Sequence, residues 1–267
     1  MTGLISLIVL LLIIALGIYL QSSLPKKMPV VLPPVKNVTE VLTGNVRYYQ
    51  KLNMADRERF EQEVESFLQQ VRITGVDTDV TDEERILVAA SGVIPIFGFP
   101  GWHYPNLNEV LLYPGTFTDK YDFKEQTPDH NIMGMVGSGA MNRVMILSKP
   151  ALHEGFSNKT DKNNTAVHEF SHLVDKVDGD ADGIPEYLID KKVIRSWVKL
   201  IHQEIQSIKE NESDINPYGS TNEAEFFAVV SEYFFERPLL LEQKHPELFA
   251  MLEKIFHQSP QTDSIKS

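Results

Sequence analysis

No cysteine occurs in the 267-residue chain, which removes disulfide frameworks and thiolate metal sites from consideration. Any metal centre must draw on His, Asp and Glu. Cationic clusters are also missing. Beyond Lys26-Lys27 there is no basic run, and the formal net charge is −12. Nucleic-acid binding needs clustered Lys and Arg against phosphates, so that class of partner is excluded. The sequence has no phosphate loop, no nucleophile elbow and no internal repeat.

What is present begins with an apolar segment. Residues 3–20 are uncharged and rich in Leu and Ile. As a helix they would span about 27 Å, close to the hydrocarbon thickness of a bilayer. No Lys or Arg precedes the run and no small-x-small site follows it. That favours a single-pass transmembrane anchor over residues 1–22 rather than a cleaved signal. Lys26, Lys27, Lys36, Arg47 and Lys51 lie downstream, a bias that puts the following domain on the cytoplasmic side. Pro25, Pro29, Pro33 and Pro34 mark residues 23–40 as an extended Pro-rich linker.

The patterning of residues 41–258 is that of one domain, followed by a tail at 259–267 expected to be disordered. Helical periodicity predicts helices over 55–71, 82–93, 165–177, 185–209, 222–236 and 246–257. Short apolar runs bounded by Pro and Gly predict strands over 108–113 and 143–148. The order indicates an α+β class, mostly helical with a small sheet.

The chemistry concentrates at His168-Glu169-Phe170-Ser171-His172. Residues four apart on a helix share a face, so His168 and His172 present two imidazoles to one ion. Glu169, about 100° round the helix, can hold a water beside that ion and accept its proton. Ala166, Val167, Phe170, Leu173, Val174 and Val177 form the apolar face, with Asn164 or Thr165 to cap the start. The ordinary alternative is a polar stripe of His168, His172 and Asp175 on a core helix. A chance match to the motif occurs on the order of once in a hundred chains of this size, which favours metal binding.

A catalytic zinc takes a third protein ligand and leaves one position open. The segment 222–236 is apolar almost all round, yet carries Glu225 and Glu232 on one face. A buried carboxylate must be paired or bind a metal. Glu223 fits a capping box with Ser220, and Glu225 fits one with Asn222; if Glu223 caps, Glu225 is free to ligate. Asp178, Asp180 and Asp182 resemble the start of a calcium loop, but Ile189 stands where the closing Glu belongs and Pro185 interrupts, so a plain turn is expected. His103, His130, His153, His202, His245 and His257 show no paired spacing and read as surface or hydrogen-bonded residues.

From about residue 48 to residue 252 the chain resembles the Mlc titration factor A family of zinc metallopeptidases. The segments that carry the likeness include Tyr113-Pro114-Gly115-Thr116-Phe117 and Val144-Met145-Ile146-Leu147-Ser148. Stronger are His168 through Asp175 with Asp178-Gly179, and Tyr218 through Glu225 into the aromatic run ending at Phe235. The resemblance implies a zincin-like fold, with His168, His172 and Glu225 (not Glu223) as zinc ligands and Glu169 as general base. It also implies that Tyr218, seven residues before Glu225, stabilises the oxyanion, and that the action is aminopeptidase-like on short peptides. One departure is Val136-Gly137-Ser138-Gly139-Ala140-Met141, which lacks the acidic residue and Trp the family usually carries there; this bears on the cleft's shape. Typical members also lack an anchor. Part of the family binds a sugar-regulated repressor, a partner that no residue here carries over.

The reading is a zinc-dependent peptidase acting on a peptide or protein substrate. The competing reading is a membrane-tethered regulatory binding protein with a structural zinc site. Glu169 favours the enzyme, because a structural site has no use for a base beside its ligands.

Overall fold

The computed structural model describes residues 35–115, 134–136, 143–157 and 162–260, all within one unit, Pro34–Ser267. Helices α1 (Val38–Asn45), α2 (Arg47–Lys51) and α3 (Met54–Gln70) lead into strand β1 (Arg72–Gly75). Helix α4 (Asp82–Ile96), strands β2 (Glu109–Tyr113), β3 (Gly134–Val136) and β4 (Val144–Ser148), and helix α5 (Lys149–Ser157) follow. The C-terminal half is helical: α6 (Thr165–Asp175), α7 (Lys191–Lys209), a 3-10 turn (Pro217–Ser220), α8 (Glu223–Glu236), α9 (Pro238–Lys244) and α10 (Pro246–Phe256). The class is α+β, mostly helical with a four-stranded sheet.

The expectation of a single-pass membrane protein is corrected: among the described residues no helix is long and apolar enough to cross a membrane. Residues 3–20, on which that expectation rested, lie outside the described residues, as do most of 23–40 and the end of the tail.

The sheet runs β1-β2-β4-β3. β1, β2 and β4 are parallel, and β3 pairs with β4 antiparallel at the edge. Parallel neighbours need a crossover, and α4 supplies the one from β1 to β2. Thr81 and Glu84 form a capping box at its start. The sequence predicts this helix over 82–93, yet it runs on to Ile96. Pro95 sits in the last turn, where Gln258 Nε2 donates to the carbonyls of Ile94 (3.0 Å) and Pro95 (3.2 Å). Those contacts satisfy groups that the helix end would leave open.

Helix α6 lies between α4 and α8. Gly92 of α4 allows the first contact: a Cβ there would sit 2.7 Å from the Phe67 ring and 2.9 Å from the Phe170 ring. Those two rings meet edge to face at 5.7 Å. On the other side, Phe227 and Phe234 of α8 each stack on Phe256 at 5.7 Å. The two helices that bear His168, His172 and Glu225 are thus backed by fully packed aromatic layers.

The chain leaving α6 is held by a brace. Asp175 Oδ2 accepts from the Gly183 N–H (2.9 Å), and the Gly183 carbonyl accepts from Trp197 Nε1 (2.7 Å). Gly183 has φ +75°, and a Cβ there would lie 2.3 Å from the Glu223 carbonyl oxygen. Only glycine fits this approach of the loop to the start of α8. Asp190 then caps α7 by accepting from Lys192 N (3.0 Å). Residues 185–189, expected to be helical, form turns instead.

Asp175 carries a cost that can be measured. It is fully buried, and its Oδ1 has no hydrogen-bond partner among the described residues. Burial pushes its carboxyl up to about 7 from 3.8. A raised acid binds its proton more tightly in the folded state, so the full stability is present below about pH 4 and is lost as pH rises to about 7. Asp175→Asn keeps an acceptor for Gly183 and removes the charge. Chemical denaturation should show the variant more stable than wild type at pH 8, by up to about 4 kcal/mol, and close to it at pH 4. A variant less stable at pH 8 contradicts this account.

Candidate active site

Helix α6 starts where Asn164 Oδ1 accepts from the Val167 N–H (3.1 Å). This cap sets the phase in which His168 and His172 point away from the Phe170 face. Helix α8 starts where Asn222 Oδ1 accepts from the Glu225 N–H (2.9 Å). Asn222 is therefore the cap, and neither glutamate's position is explained by capping alone. The Glu223 carboxylate turns outward to His202 at 3.6 Å. The Glu225 carboxylate turns inward, with Oε2 3.1 Å from His168 Nε2 and 3.3 Å from His172 Nε2.

The two imidazoles are themselves 3.1 Å apart, Nε2 to Nε2. Ligand atoms of His168, His172 and Glu225 all lie within 4.8 Å of one another, the single such group among the described residues. Two imidazole nitrogens and a carboxylate oxygen, converging from two packed helices, fit a divalent metal of the zinc type. By contrast, Asp178 and Asp182 each spend an oxygen on backbone N–H groups of their own loop, at Asp180 and Ile184. This is the turn that the sequence indicates.

The electrostatics are dominated by the carboxylates. Burial pulls His168 down, but bonds to Glu225 and Glu232 overcome it and push the imidazole up to about 10. Burial opposes ionisation of Glu225 as well, yet His168 and His172 hold its carboxyl well below the usual range. Glu169 is 7% exposed, and burial raises its carboxyl. Gly134 of β3 makes room for it: a Cβ there would lie 2.7 Å from Glu169 Cγ and 2.8 Å from Oε1.

Tyr218 lies in the 3-10 turn, where Asn216 Oδ1 accepts from its N–H (3.1 Å). Its ring centroid is 6.1 Å from that of His168, and the side chain is 53% exposed. Burial and the Glu225 carboxylate raise its phenol. A cleft of about 470 Å³ runs over these groups, lined also by Met135, Lys176 and Asn222. All five residues singled out in the sequence thus line one cleft. The departure noted at 136–141 lies almost wholly outside the described residues.

Sequence reasoning marked Glu232 as a buried acid without saying what it does. Its Oε1 lies 2.7 Å from His168 Nδ1, and its Oε2 accepts from the Asn164 N–H at 2.6 Å. The signal was the spacing of seven from Glu225, two turns along one helix face. Of the other histidines, His245 bridges Glu204 (3.1 Å) and Asp214 (2.9 Å) away from the cleft. His130 lies outside the described residues.

Residues 29–257 match the family model described as glucose-regulated metallo-peptidase M90. An uncharacterized protein of Synechocystis sp. is 30% identical over 232 residues, covering 82% of this chain and 83% of that protein. Mlc titration factor A of Pectobacterium atrosepticum is 28% identical over 207 residues, covering 73% of this chain and 77% of its own. Its counterpart in Salmonella arizonae is 30% identical over 209 residues, covering 73% and 81%. The matched stretch contains both helices that converge on the cleft, so the chain belongs to the glucose-regulated metallo-peptidase M90 family and is a relative of Mlc titration factor A.

Proposed function

We propose that the chain is a zinc-dependent peptidase, with the metal held by His168, His172 and Glu225. The observation that carries this reading is the convergence of those three side chains beside the buried Glu169. A bound zinc supplies Lewis acidity, activating water as a nucleophile and polarising the carbonyl to be attacked. Glu169 takes the proton from the attacking water at its carboxylate and returns it to the departing amine. Burial raises its carboxyl, which strengthens it as a proton acceptor. The Tyr218 hydroxyl donates to the carbonyl oxygen as negative charge develops there. Glu232 holds the His168 ring by its Nδ1, fixing which nitrogen faces the cleft. Strand β3, at the sheet edge among the described residues, lines the same cleft, and an edge strand can pair with an extended peptide. That favours a peptide over a compact small molecule as the substrate.

Elemental analysis of purified protein should find about one zinc per chain. His168→Ala and Glu225→Ala should lose it, while Glu223→Ala should retain it. The reverse result for the two glutamates moves the third ligand to Glu223.

Glu232→Gln leaves all three ligand side chains in place. It should weaken zinc about 10- to 100-fold in a chelator competition, the usual effect of removing a partner that orients a ligand. Unchanged affinity removes the orienting role.

Cleavage of a peptide library separates a peptidase from a zinc-holding binding protein. Glu169→Gln should keep its zinc and lose about 100- to 10,000-fold in rate. Tyr218→Phe should lower kcat more than it raises KM, by roughly 2.7–4 kcal/mol in the barrier. Full activity in zinc-loaded Glu169→Gln contradicts the mechanism. A zinc-loaded wild type that cleaves nothing but captures a protein partner supports the binding reading instead.

A further inference from the structure

We propose that Asp214 is a positioning residue: it fixes the turn bearing Tyr218 against both helices that carry the ligand set. The inference rests on the peptidase reading and adds to it the group that places the oxyanion donor. Asp214 lies in the chain between α7 and the 3-10 turn, four residues before Tyr218. Its Oδ2 accepts from Lys162 Nζ at 2.5 Å and from the Tyr233 hydroxyl at 2.9 Å, and it pairs with Lys244 Nζ at 3.2 Å. Its Oδ1 meets His245 Nε2 at 2.9 Å, and Lys162 Nζ also donates to the Asp214 carbonyl at 2.5 Å. On its far side His245 Nδ1 meets Glu204 of α7 at 3.1 Å.

The partners tell what this carboxylate does. Lys162 comes two residues before Asn164, the cap of α6, and Tyr233 follows Glu232 on α8. One side chain thus ties the loop to the helix of His168 and His172 and to the helix of Glu225. Burial opposes ionisation of Asp214, yet Lys162, His245, Tyr233 and Lys244 hold its carboxyl well below the usual range. Charge-assisted bonds of this kind fix geometry more firmly than neutral ones. The link onward to Tyr218 is short and stiff. Ile215 is buried, Asn216 Oδ1 accepts from the Tyr218 N–H, and the ring of Pro217 locks its φ. Gly219 rests close to Val229 of α8, so the turn has one apolar seat and Asp214 supplies the polar one. Tyr218 itself is 53% exposed, so the backbone of its turn, and not a packed pocket, determines where the phenol stands.

Coupling between Asp214 and Tyr218 separates positioning from plain stability. In zinc-loaded full-length protein, with the library peptide that wild type cuts fastest, Asp214→Asn should keep zinc content and KM near wild type. It should lower kcat by about 10- to 100-fold, since misplacing a reacting group by about 1 Å costs as much. In a Tyr218→Phe background the same change should cost less than about twofold further, because no donor is left to position. Lys162→Gln, at the edge of the cluster, gives a second cycle with the same expected outcome if Asp214→Asn does not fold. In zinc-free protein labelled with fluorotyrosine, the fluorine NMR resonance that Tyr218→Phe deletes should shift or broaden in Asp214→Asn. An unchanged kcat, equal losses in both backgrounds, loss of zinc or an unmoved resonance overturns the proposal and leaves the peptidase reading standing. So does a Tyr218→Phe variant that cleaves at the wild-type rate. A wild type that cleaves no peptide overturns both.

Discussion

Glu232 sits two turns beyond Glu225 on α8, and its two oxygens reach different parts of α6: one the ring of His168, the other the backbone N–H of the capping Asn164. The Asn164 side chain answers by donating to Glu236 Oε1 at 2.8 Å, one turn further on. A carboxylate that is 7% exposed is tolerated only when its charge is met by good donors. Here the donors belong to the helix it must be held against. Because α6 and α8 meet at this joint, it acts together with the direct contacts of Glu225 to His168 and His172 in setting where the three side chains stand.

The apolar core serves the same end. Phe170 faces Phe67 and Tyr104 on one side of α6, while α8 rests its aromatic residues on Phe256. Side chains in such layers resist displacement, since each shift opens a void or forces a clash. The result is a polar site of several charges that rests on rigid apolar walls. At the far end, Gly183 is held by Asp175 and Trp197 and abuts the first residues of α8. The ligand-bearing helices are thus tied near both ends of α6.

Much of this was legible in the sequence because it is local. A spacing of four shows the histidine pair, and the helices around them follow from apolar periodicity and their caps. Helix α5 was missed although Ser148 Oγ accepts from the Ala151 N–H (3.2 Å), a cap signal hidden at the end of a strand. Strands β1 and β3 were missed because four and three residues are too few to show alternation. The choice between Glu223 and Glu225 is not local: it depends on how α8 is rotated against α6, which propensity does not encode. Gly134 was invisible for the same reason, since its value lies in a glutamate 35 positions away in the chain.

The distance along the chain between His168 and Glu225, 57 residues, sets an order of events during synthesis. The two histidines emerge from the ribosome together on one short helix. At about 5–20 residues per second, Glu225 and Glu232 follow several seconds later. Until then the imidazoles have neither the Glu225 carboxylate nor the Glu232 carboxylate that meets the His168 ring. A nascent chain therefore carries two of the three clustered side chains before the third, and the cluster is complete only once α8 has docked on α6.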